Sequence, residues 1–209
     1  MGSKASIIIT FYNNPVAEVV RCIESAIKQS DDVIVINGGS TVEYPEFKYP
    51  ITYIKMGYNA YEAECRNVGV KLIKYDRYIT LDGDDYLIDG SIAKLLETDA
   101  DIVYGNMITP SGRCKPIVPI TREGFKRGNQ LFATSLLKKS VWEKVGGYWE
   151  RGILYPCDWE FWARTCANGA EFKYVDVDVY NYQTGNPNSG WERAKHTSWN
   201  DEITKHAGL

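Results

Sequence analysis

Ala5-Ser-Ile-Ile-Ile-Thr10, then Val16, Val19, Val20, Ile23, Ala26 and Ile27 at the spacing of one helix face, then Asp32-Val-Ile-Val-Ile36: these three runs decide the fold. The first and third are continuous and β-branched, which suits strands buried on both faces of a parallel sheet. Between them, after the turn at Asn13, Asn14 and Pro15, lies an amphipathic helix that ends near Ser30. Gly38-Gly39-Ser40 closes the second strand. Strand, helix and strand make one βαβ unit, and the pattern continues. Residues 51–54 read as a strand, Asn59 with Glu62 as a capping box opening a helix to about Lys74, and residues 78–81 as a further strand. This alternation predicts an α/β protein with a mostly parallel central sheet and helices on both faces. Ligands of such sheets bind beyond the carboxyl ends of the strands.

The rest of the chain is less regular. Residues 105–135, rich in Gly, Pro and basic side chains, give no periodicity to assign. Helices are expected over residues 138–145 and over 158–168, the second stopped by Gly169. Residues 185–198 are polar and rich in Gly, Pro and Asn, a loop suited to closing over a ligand. No internal repeat is present. With 209 residues, 44% of them hydrophobic, the chain is long enough for one substantial core, so a single domain over 1–209 is expected.

A net charge of -3 leaves no cationic surface for nucleic acid or an anionic membrane. The longest early apolar run, residues 5–10, falls far short of the roughly 20 residues that span a bilayer, and no basic stretch and cleavage site precede it. Five cysteines, an odd number without a Cys-x-x-Cys pair, point to reduced thiols and a cytoplasmic location.

Chemistry concentrates in Tyr78-Ile-Thr-Leu-Asp82-Gly-Asp84-Asp85, where a hydrophobic strand delivers three carboxylates into the loop at its end. Carboxylates this close repel one another unless a cation or hydrogen-bond donors compensate, and a hard divalent ion is a common compensator. Magnesium or manganese typically takes one or two carboxylates and completes its shell with water and substrate phosphates. A solvated Asp/Gly turn is the plainer alternative.

Six motifs stand in one order: residues 5–13, Val33-Ile-Val-Ile-Asn-Gly-Gly-Ser40, Cys65-Arg-Asn-Val-Gly69, Leu81-Asp-Gly-Asp-Asp85, Val145-Gly-Gly-Tyr-Trp-Glu150 and Asp158-Trp-Glu-Phe-Trp-Ala-Arg164. Together, over roughly residues 5–165, they resemble family 2 of the inverting glycosyltransferases with the GT-A fold. The small size is also similar to the compact glycosyltransferase domains of large viruses such as the chlorella viruses, which would place the protein in a host cytoplasm.

The resemblance implies a metal-dependent hexosyltransferase that moves a sugar from a nucleotide-diphosphate donor, by default UDP-glucose, to a hydroxyl of a glycan or glycoconjugate. It divides the chain into a nucleotide-binding half (1–104), an acceptor-side half (105–181) and a mobile tail (182–209). Thr10, Phe11 and Tyr12 match the segment along the base. Asn37 and Gly38 replace two acids, one of which accepts from uracil, and the Asn37 amide oxygen is expected to do so here. Arg66 and Asn67 match the nucleotide-side pair. Asp82 matches the ribose-facing carboxylate and Asp84 the Mn2+ or Mg2+ ligand, with Asp85 behind it. Asp158 matches the second member of an acidic pair and is expected to be the general base; the first member is Cys157 here. A helix N-cap is the structural alternative for Asp158, and Glu160 is the fallback base. Trp149, Trp159 and Trp162 are expected to form a sugar platform or to pack in the core. In the tail, Trp191, Arg193 and Lys195 fit a diphosphate clamp, and His196 resembles a tail histidine that completes the metal shell in some relatives.

Two other enzyme classes fit less well. A nucleotidyltransferase would carry a Gly-rich Thr-Arg loop after the first strand, where Thr10-Phe-Tyr-Asn-Asn14 stands. An aspartate phosphatase would place its acidic motif after the first strand. A catalytically weak sugar-binding or scaffolding relative is the non-enzyme alternative, suggested by Asn37, Gly38 and Cys157.

Overall fold

The computed structural model describes residues 4–152, 155–183 and 199–209. Nine strands form one sheet: β1 Ser6–Phe11, β2 Val33–Asn37, β3 Thr52–Lys55, β4 Arg77–Asp82, β5 Tyr86–Leu87, β6 Ile102–Thr109, β7 Gly112–Cys114, β8 Leu136–Lys138 and β9 Phe172–Asn181. Their order is β3-β2-β1-β4-β8-β6-β9-β5, with β7 paired to β6. The helices described are α1 Val16–Ile27, α2 Glu62–Leu72, α3 Ser91–Leu96, α4 Arg122–Phe125, α5 Lys139–Val145, α6 Cys157–Ala167 and α7 Asn200–Ala207.

Strand alternation places the helices. On β1, Ile7 and Ile9 face one core with Val19, Cys22, Ile23 and Ala26 of α1 and with Ile92 and Leu95 of α3. Ile8 faces the other, with Val70 of α2, Phe161 and Trp162 of α6 and Ile203 of α7. A period of two on a strand sends neighbours to opposite faces, so one apolar strand supplies both cores. The expected βαβ unit is present, and β1 pairs in parallel with β2 and β4, as β2 does with β3.

The sheet is more mixed than expected. β8 runs antiparallel between β4 and β6, β7 forms a hairpin with β6, and β5 is antiparallel to β9. Three of these strands have only two or three residues. The unassigned stretch 105–135 therefore holds most of β6, the hairpin with Gly112 at φ 124°, and α4, where the Thr121 side chain accepts the Gly124 N–H at 3.0 Å.

Two local expectations need correction. The capping box does not form: α2 starts at Glu62 behind Tyr61, with no side-chain cap. Residues 199–209 are not a mobile tail, because α7 docks on the second core with Ile203 fully buried. Residues 184–198, with Trp191, Arg193, Lys195 and His196, lie outside the described residues. All five cysteines are free, and Cys22, Cys65 and Cys157 are buried. Burial pushes the Cys65 thiol up to about 12 and those of Cys22 and Cys157 well above the ordinary range. Among the described residues no helix is long and apolar enough to cross a membrane.

Candidate active site

The parallel half of the sheet brings three strand ends together. Gly38 donates its N–H to the Phe11 carbonyl at 2.8 Å, and Gly83 donates to the Thr10 carbonyl at 2.9 Å, so the loops after β2 and β4 are both bound to the end of β1. Gly83 is required there, since a Cβ would stand 2.5 Å from the Phe11 Cβ. Thr10 and Phe11 are buried; Tyr12 is 40% exposed at the mouth. Asn37 does not face the cleft. Fully buried, its amide oxygen accepts the Ser40 N–H at 2.8 Å and its nitrogen donates to the Tyr53 hydroxyl at 3.0 Å, so it holds the loop in place of contacting a base.

Asp82 ends β4 with a half-exposed carboxylate. Arg66, buried on α2, donates from Nη2 to Asp82 Oδ1 at 3.1 Å and pairs with Glu62 through the same nitrogen. Its Nη1 lies 3.9 Å from Cys157 Sγ, its guanidinium carbon lies 5.5 Å from the Tyr148 ring centroid, and its Nε has no partner among the described residues. A surface arginine is thus replaced by a buried cation at the floor of the cleft. Glu62 opens to that cleft yet is ringed by protein: burial and then the nearby Asp82 and Asp158 raise its carboxyl to about 7 against the pull of Arg66. Asn67 turns away, its amide holding the Tyr148 backbone, Glu150 and Trp142.

In the acidic turn, the Asp85 N–H donates to the Asp82 carbonyl and Arg21 donates to the Asp84 carbonyl at 3.0 Å. Asp85 is buried and accepts the Gln183 N–H at 2.9 Å. Burial first, then Asp82 and Asp84, push its carboxyl well above the ordinary range. It braces the turn and is not presented to a diphosphate. Among the described residues no three His, Cys, Asp or Glu side chains form a ready-made metal cage. Asp82 and Asp84, two residues apart in the turn, do fit a cation that takes one or two protein carboxylates, Asp84 first, and finishes its shell with phosphate and water.

Asp158 stands on the other side, in the first turn of α6. Pro156 is the N-cap and makes no side-chain cap bond, so the cap assignment for Asp158 is wrong. Asp158 Oδ2 accepts from the Asn129 amide at 2.8 Å. Burial raises its carboxyl above the ordinary aspartate range, opposed by Arg66, the Trp159 N–H and Asn129. Asn129 also lines a cavity of about 360 Å³ with Ile117, Val118, Pro119 and Arg127.

Glu160 is no substitute for Asp158. It is fully buried, clamped by Arg164 at 2.6 and 2.8 Å and by His206 Nδ1 at 2.8 Å. Of the tryptophans, Trp162 is core, Trp149 stacks on His206 with centroids 3.5 Å apart, and Trp159 donates to the Phe125 carbonyl at 3.1 Å. Glu62 and Asn129 were missed from sequence. The i,i+4 spacing of Glu62 and Arg66 was a usable signal for the first; nothing in sequence links Asn129 to Asp158.

Comparisons with known proteins bear on the family and the fold. Residues 6–159 match the model of glycosyl transferase family 2. Succinoglycan biosynthesis protein ExoU of Rhizobium meliloti (strain 1021) is 23% identical over 200 residues, 80% of this chain and 58% of that protein. An uncharacterized glycosyltransferase of Haemophilus influenzae is 29% identical over 163 residues, 68% of this chain and 55% of that one. The chain thus spans little more than half the length of these curated relatives. Among solved structures, S. aureus TarS 1-349 in complex with UDP-GlcNAc shares the fold with a TM-score of 0.77, covering 98% of this chain and 65% of that one at 17% identity. The complex of the same protein with UDP gives 0.68, with 98% and 69% covered and 16% identity. The fold is GT-A. These relatives are bacterial and lend the viral likeness no support.

Proposed function

The chain belongs to glycosyl transferase family 2, and from that premise we propose that it moves a sugar from a nucleotide-diphosphate donor to a hydroxyl of a glycan or glycoconjugate, inverting the anomeric carbon. The observation that carries this reading is the placement of Asp82, fixed by buried Arg66 at the end of β4, in the same cleft as Asp158 at the start of α6. A UDP-sugar is the donor class favoured, since TarS was solved with UDP-GlcNAc and with UDP. A relative named for succinoglycan biosynthesis favours a saccharide acceptor.

In this reading the acceptor hydroxyl oxygen bonds to the anomeric carbon as the bond to the diphosphate oxygen breaks, and the hydroxyl proton passes to Asp158. A carboxylate raised above its ordinary pKa is a better proton acceptor whenever it is ionised. Asn129 orients it, and Arg66 holds Asp82 toward the ribose. A divalent ion on Asp84 would supply Lewis-acid neutralisation of the leaving diphosphate. The 117–130 cavity, sharing Asn129 with the base, suits the part of the acceptor remote from its reacting hydroxyl.

The test is a donor-hydrolysis and transfer screen across UDP-, GDP- and dTDP-sugars with and without Mn2+. Metal-stimulated turnover of one nucleotide class is expected. Absence of turnover and of nucleotide binding across all three would defeat the reading.

A further inference from the structure

Glu62 has no part in the reaction just described, yet it belongs to the Arg66 cluster at its centre. It pairs with Arg66 one turn along α2, and the nitrogen that pairs with it also holds Asp82. The charges of both Asp82 and Asp158 act on it. Arg66 links it to Asp82 through Nη2 and reaches Cys157, the neighbour of Asp158, through Nη1 at 3.9 Å, so Glu62 belongs to the cluster that joins the carboxylate assigned to the nucleotide side to the one assigned to the acceptor side. The Arg66 side chain is 1% accessible, whereas that of Glu62 is 42% accessible, so part of the Glu62 side chain can be reached by a ligand. Position 157 offers no carboxylate, because a buried thiol stands there with Arg66 Nη1 at 3.9 Å. α2 is where this chain supplies a second acid to that guanidinium.

Resting on the reading above, the geometry points to Glu62 as the residue that reads the transferred sugar, its accessible carboxylate accepting hydrogen bonds from hydroxyls of the donor's sugar ring. The sugar must lie where the leaving phosphate and the incoming hydroxyl meet, near the groups that serve them, and Glu62 shares with those groups the Arg66 cluster. Above pH 7, where Glu62 with its carboxyl raised to about 7 is mostly ionised, its carboxylate is acceptor-only with about four lone-pair sites, which matches adjacent sugar hydroxyls. Its pairing with Arg66 fixes the carboxylate before the sugar arrives, so little ordering is needed on binding.

The experiment compares calorimetric affinities of the wild type, Glu62→Gln and Glu62→Ala for UDP alone and for UDP-glucose, UDP-GlcNAc and UDP-galactose, with Mn2+ present. UDP lacks the sugar, so its affinity should hold in both variants and report that the nucleotide side is intact. Affinity for the sugar donors should fall about tenfold or more, the worth of a hydrogen bond to a charged group, and their ranking should change. Equal losses for UDP and UDP-sugars would overturn the assignment and make Glu62 a support for Arg66 and Asp82. Unchanged affinities would overturn it outright. A wild type that binds none of these nucleotides would instead remove the functional reading, and this inference with it.

Discussion

Asp158 is the second residue of α6 and caps nothing, so its placement has to be explained by what its oxygens meet. Burial raises its pKa from 3.8, and the sign of that shift fixes two outcomes. An acid whose folded pKa exceeds its unfolded value costs no stability below the unfolded pKa. Stability then falls as pH rises through the window from 3.8 to the raised value. Asp158→Asn should therefore melt no lower than wild type at pH 7 and somewhat higher, with the difference closing toward pH 4. Transfer should fall by about 10²–10⁴-fold, the contribution of a positioned general base. A variant that transfers at the wild-type rate would remove Asp158 from the reaction. Asn129 acts one step back. Its hydrogen bond lowers the Asp158 pKa, so Asn129→Ala should move the acid limb of the kcat/KM profile to higher pH with UDP affinity unchanged. An acid limb left in place would mean that Asn129 does not touch the base in solution.

At the level of elements, α2 and α7 show what pattern reading captured and missed. Asn59 and Glu62 have capping-box spacing, but Met56 donates to the Asn37 carbonyl and Ala60 to the Gly38 carbonyl. The segment is thereby tied to the end of β2, and the helix starts only at Glu62, which is then free to meet Arg66. The spacing was legible; the tertiary competitor for the backbone was not. α7 is short and polar, and its inward residues, Ile203 and Ala207, are too few to stand out as a periodic face. Its docking depends on partners far away in sequence: the ion pair of Glu202 with Arg151, and His206 between Trp149 and Glu160. Ile203→Ala should cost about 2–5 kcal/mol, as large-to-small changes at fully buried positions do, measured by urea denaturation. UDP affinity of the folded fraction should be unchanged. A cost below about 0.5 kcal/mol would mean that α7 is not seated on α6.

Across the whole molecule, the parallel half of the sheet was readable because its strands are buried on both faces and announce themselves as unbroken apolar runs. The antiparallel half was not, because β5, β7 and β8 are too short to carry a period and the connections around them are rich in Gly and Pro. The site divides the same way. Asp82, Asp84 and Asp158 were singled out as candidates by the order of motifs, whereas Glu62 and Asn129 enter only when α2, the 117–130 loop and α6 converge. Asp84→Asn should abolish Mn2+ stimulation of donor turnover while a cooperative thermal unfolding transition is retained. Full activity of the wild type in excess chelator would exclude a metal requirement. The free cysteines carry a practical consequence as well. Three thiols are buried with raised pKa values, and only Cys114 on the β6–β7 hairpin and Cys166 on α6 are partly accessible, the latter also slowed by a raised pKa. One equivalent of a maleimide dye should therefore enter at Cys114 before any other position. The unmutated protein then carries a single fluorophore on a hairpin outside the main strand path, ready for anisotropy titration with each candidate donor.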